Sequence, residues 1–206
     1  MDSLIYILFV AIFIPILLMA CLVEKKARQP MIFFLIGIFL SVFASEINAY
    51  LRSILSMSTF EITIIVTPIS EEILKALPIL FFATVLAPKK EALFTASMAV
   101  GIGFAVLENA YYLLTSNSFN MFNAIVRAFG AGLMHGMCTL LVGVGILFVK
   151  KKKKLFVVGT FAMLSTAITY HGIYNMLVQS DYRAIGYLLP IATYIPFVMW
   201  RIKKTN

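Results

Sequence analysis

Charged side chains are scarce in this chain. They make up 13% of its 206 residues, about half the share found in soluble domains. Acidic residues are fewer still, nine against 17 lysines and arginines, and cysteine and histidine occur only twice each. Set against 62% hydrophobic residues and a mean hydropathy of +0.98, this shortage of charge excludes a soluble globular fold. Cys21 and Cys138 lie inside or at the end of apolar runs and suggest no disulfide framework. The first apolar run lacks a basic n-region and follows Asp2, so a cleaved secretory signal is not expected there. Several catalytic signatures are missing too: HExxH for zinc, GxSxG for a serine nucleophile, paired intramembrane aspartates and a phosphate-cradling glycine loop.

What the chain has instead is long apolar runs, each near the ~20 residues that cross a bilayer. They fall at 3–23, 31–51, 62–86, 92–115, 124–149, 155–178 and 185–200, joined by short segments. The expected fold is all-α, a polytopic bundle of about seven transmembrane helices forming one membrane domain over 1–206. The net charge of +8 is concentrated in alternate joins: Lys25, Lys26 and Arg28, then Lys89 and Lys90, then Lys150 to Lys154, then Arg201, Lys203 and Lys204. The positive-inside rule puts those joins and the C-terminus in the cytoplasm and the N-terminus outside. The lysine run is expected to mark orientation and anionic lipid contact, with no nucleic acid as partner.

The polar residues within the runs carry the functional argument, because charge in a bilayer is costly and marks function by default. Ser45, Glu46 and Asn48 sit in the second run, Glu71, Glu72 and Lys75 in the third, Glu108 and Asn109 in the fourth. His135, Cys138 and Thr139 follow in the fifth, His171 and Asn175 in the sixth. Both histidines and four of the nine acidic residues are therefore intramembrane. Counted at about 1.5 Å per residue along alternating spans, Glu46, Glu71, Glu72, Glu108, His135 and His171 all reach the outer half of the bilayer. One shared polar cavity near the extracytoplasmic side is the expectation.

Helical spacing gives each run one stripe facing that cavity: Glu71 or Glu72 with Lys75, Phe104 with Glu108, His135 with Thr139, His171 with Asn175. Lys75 can offset one glutamate and leave the other usable. Pro68 either kinks the third run or starts its helix at membrane depth, exposing backbone groups that need a polar, wet surrounding. Glycines in "GIGF" (101–104) and "GAGLMHG" (130–136) allow close helix approach. Carboxylates with two histidines can activate water, the carboxylate as base and imidazole as donor to an oxyanion. Glu72, Glu108, His135 and His171 could equally hold a divalent metal such as Zn²⁺, and both metal-bound and metal-free chemistry fit this inventory.

Four blocks carry a resemblance: "EEILK" at 71–75, "GFAVLEN" at 103–109, "RAFGAGLMHGMCT" at 127–139 and "HGIYN" at 171–175. In this order, each on its own run, they resemble the PrsW family of intramembrane proteases, relatives of the CAAX-processing (CPBP) membrane proteases. The resemblance implies a membrane-embedded endopeptidase of the bacterial plasma membrane. Its implied substrate is a single-span anti-sigma factor cut on its extracytoplasmic side. Carried over by position, Glu71 and Glu72 form the catalytic-glutamate motif with Lys75 in support. Glu108, His135 and His171 complete the site, with Asn109, Asn175, Arg127 and Phe104 around them. The acidic stretch that family members carry after the first span is reduced here to Glu24 and Pro30 of "EKKARQP". Two other function classes would use similar residues: an ion-coupled transporter, whose inverted repeats are not evident here, and a non-catalytic scaffold or immunity protein on the same fold.

Overall fold

The computed structural model describes residues 3–115, 121–150 and 156–205. Every described element is helical, and seven helices coincide with the seven apolar runs. They are α1 (Ser3–Leu22), α2 (Lys25–Ile54), α3 (residues 59–86), α4 (Lys90–Thr115), α5 (Met121–Lys150), α6 (Phe156–Val178) and α7 (Arg183–Thr205). Four stretches, Leu4–Leu22, Lys25–Ile54, Lys90–Thr115 and Ala124–Leu147, are long and apolar enough to cross a membrane. The lysines at 151–154, expected in a cytoplasmic join, lie outside the described residues, as does 116–120 between α4 and α5.

Burial orders the bundle from inside to outside. In α5 72% of the apolar window is buried, against 56% in α4, 39% in α2 and 11% in α1. Helix α5 is therefore the centre, flanked by α4, α6, α7 and α3, and α1 lies against α2 and α4 at the edge. Phe33, Ile79, Phe82, Val100, Met134 and Val142 make the main apolar core. Glycine lets the central helices meet backbone to backbone, the usual way to pack helices without a hydrophobic drive. A Cβ at Gly37 of α2 would strike the Val100 carbonyl of α4, and one at Gly103 would strike the Phe34 carbonyl of α2. Gly101 stands in the same way against the His135 carbonyl, which fixes how close α5 brings that imidazole to α4.

Helix α3 begins on a capping box. The Ser58 hydroxyl accepts from the Glu61 amide at 3.2 Å, and Glu61 Oε2 accepts from the Ser58 amide at 2.8 Å. The Ser58 hydroxyl and amide together hold the Glu61 carboxyl below its ordinary value. The helix then runs through Pro68 rather than starting there. Ile62–Val66 is a π-helical turn, in which the Thr67 amide bonds the Ile62 carbonyl five residues back. The extra residue has a cost that the neighbouring helix meets. Thr67 is spent on Ile62 and Pro68 has no N–H, so the Thr63 carbonyl has no backbone donor in reach. Asn175 of α6 supplies it, Nδ2 to O at 3.0 Å. Close beside this bond Gly172 leaves room for the Ile64 carbonyl. A second π turn, Phe82–Leu86, ends α3 at Ala87, which takes a left-handed conformation (φ 44°) just before Pro88.

Candidate active site

The polar side chains of α3, α4, α5 and α6 meet in one connected network. Lys75 lies at its centre with no exposed surface. Its Nζ donates to Glu72 Oε1 at 2.6 Å and to His135 Nδ1 at 2.8 Å, and it stands 4.6 Å from the Phe104 ring centre. Glu72 and Lys75 are three residues apart, one turn of the same helix, so the pairing follows from α3 being helical here.

The lysine decides how His135 is protonated. An ammonium has only protons to give, so Nδ1 accepts and the ring proton sits on Nε2. From there it is donated to Glu108 Oε2 at 2.6 Å. Glu108 Oε1 accepts from Arg127 at 3.1 Å, and the guanidinium lies 3.7 Å over the Tyr112 ring. His171 has the opposite arrangement. Its Nδ1 donates to Glu72 Oε1 at 2.8 Å, which leaves Nε2 as a bare acceptor 4.0 Å from Glu71 Oε2. The two imidazoles meet edge to face, 4.9 Å between centres.

Glu71 is held differently from the other carboxylates. Its Oε1 accepts a hydrogen bond from an amide, Asn48 Nδ2 at 3.3 Å. Asn48 is turned that way by the Ser70 hydroxyl, which donates to its Oδ1 at 2.5 Å. Glu71 Oε2, like Glu72 Oε2, is buried with no hydrogen-bond partner among the described residues, but Glu72 is paired with Lys75 through its other oxygen. Glu71, Glu108 and Phe104 line a cavity of about 470 Å³ between α1, α2, α3 and α4, together with Ser45, Asn48 and Thr67. Lys75 and Arg127 match Glu72 and Glu108, which leaves Glu71 without a lysine or arginine of its own among the described residues.

One ligand atom from each of Glu71, His135 and His171 lies within 4.8 Å of the others. The donor set suits zinc, which takes imidazole nitrogen and carboxylate oxygen. The orphaned Glu71 Oε2 and the bare His171 Nε2 are available to an ion, and Glu72 on the far nitrogen of His171 is the customary outer partner of a ligating histidine. His135 can join only if its bond to Lys75 or to Glu108 opens. Glu72 and Glu108, also considered as ligands from the sequence, stand outside this group, bonded to Lys75 and His171 and to Arg127 and His135 respectively.

A comparison with protein-family models matches residues 25–201 to a family described as the PrsW family intramembrane metalloprotease. The chain belongs to that family. Searches of curated proteins and of solved structures found no match. The PrsW match leaves α1 outside it, although Ile5 of α1 lines the cavity.

Within this PrsW-family fold, each residue singled out from the sequence has a definite place. Glu71, Glu72, Lys75, Phe104, Glu108, Arg127, His135 and His171 belong to the network. Asn109 is buried at its edge, Nδ2 at 3.5 Å from the Arg127 carbonyl and Oδ1 unpartnered. His135 and His171 join the network behind Glu71 and Glu108 and are not among the residues that line the cavity, and Asn175 does not join them, since its amide is spent on the Thr63 carbonyl. Thr139 turns back to the His135 carbonyl of its own helix. Glu46 was expected at the shared cavity, but it bonds the Tyr6 hydroxyl of α1 at 2.6 Å, while Ser45 and Asn48 face the cavity instead. Asn48 and Ser70 are the contributors that spacing did not single out. The signal that could have found them is the pairing of two small polar residues, on adjacent runs, with a glutamate next in sequence to one of them.

Proposed function

We propose that the chain is an intramembrane endopeptidase that hydrolyses a peptide bond of a single-span, membrane-anchored protein near its extracytoplasmic face. Its substrate class is that of an anti-sigma factor, cut by activated water. Seven spans, an outer N-terminus and a cytoplasmic C-terminus in a bacterial plasma membrane complete the reading, supported by the alternation of basic joins. The observation that carries the chemistry is that Glu71, unlike Glu72, lines the cavity, with its buried, unpartnered Oε2 4.0 Å from the bare nitrogen of His171.

Glu71 binds the attacking water and takes its proton. Among the described residues it is the one carboxylate of the three with no lysine or arginine bonded to it; Glu72 is committed to Lys75 and Glu108 to Arg127. Asn48 clamps its Oε1 and aims Oε2. His135, whose Nε2 proton is held by Glu108, would serve a developing oxyanion only by giving up that bond. Glu72 keeps His171 in the tautomer that presents Nε2. The residues that fit a metal are Glu71, His135 and His171, and a divalent ion bound there supplies Lewis acidity and a water of lowered pKa.

The experiment is Glu71→Gln in purified protein with a single-span reporter, read by product on a gel, with elemental analysis of both proteins. Loss of cleavage in a protein whose unfolding midpoint matches the parent supports the assignment. Undiminished cleavage refutes it.

A further inference from the structure

A second cavity, of about 430 Å³, opens at the other end of α3, between that helix and α2. Phe33 and Phe82 form its floor, ring centres 4.7 Å apart and both buried, and Ile32 and Phe81 make exposed apolar walls. Its mouth is basic, carrying Lys25 and Arg28. Phe82 is eleven residues beyond Glu71, about 16 Å along the helix, so this groove is separate from the catalytic network.

We propose that this groove is a binding site for one anionic phospholipid, its acyl chain along the Phe33–Phe82 floor and its phosphate against Lys25 and Arg28. Both halves of the ligand are matched. The floor and walls are hydrocarbon and aromatic, on an outer face of the bundle, and the mouth is charged where a headgroup would sit. Arg28 is set in place there, because its Nη2 donates to the Val23 carbonyl at 3.2 Å and the Cys21 carbonyl at 3.4 Å across the α1–α2 turn. No ion pair to a carboxylate neutralises Lys25 or Arg28 among the described residues. The mouth is also the N-terminal end of α2, where Glu24 makes no side-chain cap and its carbonyl takes the Ala27 and Arg28 amides. A peptide segment would match the apolar floor but not the doubly basic mouth. A zwitterionic lipid would match the floor and half cancel the mouth.

The test is native mass spectrometry of the full chain released from nanodiscs, one set of zwitterionic phosphatidylcholine and one set doped with phosphatidylglycerol. The parent is expected to retain one phosphatidylglycerol in preference to phosphatidylcholine. Lys25→Ser with Arg28→Ser should weaken that retention roughly twenty-five-fold, two contributions of roughly fivefold each near an anionic surface. Lys203→Ser with Lys204→Ser removes the same charge elsewhere in the sequence and should leave retention unchanged. Ile32→Trp keeps the charges and fills the groove, and should abolish retention. Equal loss in the two charge variants, full retention in the Lys25–Arg28 variant, or unchanged retention in Ile32→Trp would overturn the proposal. Displacement of the lipid by inorganic phosphate, or a lipid-free dimer that covers the groove, would do so as well.

Discussion

Replacing Lys75 by methionine removes the cation from the centre of the network while keeping its length and apolar stem. The side chains of Lys75 and Glu72 have no exposed surface, so water cannot take over when the pair is broken. Removing one partner of a buried pair costs about 3–5 kcal/mol, because the other charge stays behind uncompensated. Here Glu72 would keep only the His171 proton on Oε1, with Oε2 unpartnered. Adding Glu72→Gln to Lys75→Met removes that stranded charge. The double variant should then sit only about 1–3 kcal/mol below the parent, the cost of leaving His135 Nδ1 without a donor. The assay is thermal unfolding in detergent read by a maleimide dye. Cys138, fully buried, is the reporter thiol, and exposed Cys21 is replaced by serine. A single variant that costs less than about 1 kcal/mol, or a double that costs as much as the single, refutes the argument that the pair is held together by mutual neutralisation.

Three further outcomes follow from the geometry. Gly101→Ala puts a Cβ into the His135 carbonyl; overpacking of this kind costs about 1–3 kcal/mol, and cleavage of a single-span reporter should fall more than the unfolding midpoint suggests, since the shift is passed to His135. Asn175→Leu leaves the Thr63 carbonyl orphaned in the bundle; it should cost about 1–3 kcal/mol in the dye assay and lower reporter cleavage through the α3 segment that carries Glu71. Glu61, whose carboxyl is held low by Ser58, stabilises the start of α3 above the ordinary glutamate range, and this support is lost as pH falls through the lowered value. Hydrogen exchange at the first turn of α3, corrected for intrinsic pH dependence, should accelerate on that acid limb in the parent and show no such step in Glu61→Gln.

Much of this architecture could be read from local pattern. Helices follow from unbroken apolar length, and the Glu72–Lys75 contact follows from a spacing of three on one helix. That the intramembrane polar residues converge could be anticipated too, because lone charges in lipid have few alternatives. Which carboxylate escapes pairing with the lysine could not, since Glu71 and Glu72 are neighbours and their roles depend on the helix's rotation. That rotation is set by the π turn at Ile62–Val66, which adds a residue without interrupting the helix and leaves no periodic trace in the sequence. The Tyr6–Glu46 contact was equally hidden, because nothing in α1 marks residue 6 as the partner of a residue forty positions on. Spacing along a single helix likewise put Asn175 on the His171 stripe; its real partner is a carbonyl freed on another helix by Pro68.

The ion pairs differ in when they can form. Lys75 and Glu72 lie on one helix, so α3 brings its own neutralising partner as it leaves the ribosome. Glu108 does not. Its two donors, Arg127 and His135, both belong to α5, which is made afterwards. Until α5 arrives, α4 must hold an unmatched carboxylate within an apolar segment. The order of synthesis therefore makes α4 and α5 a unit of membrane insertion, and a chain truncated between them should be handed to quality control instead of settling in the bilayer.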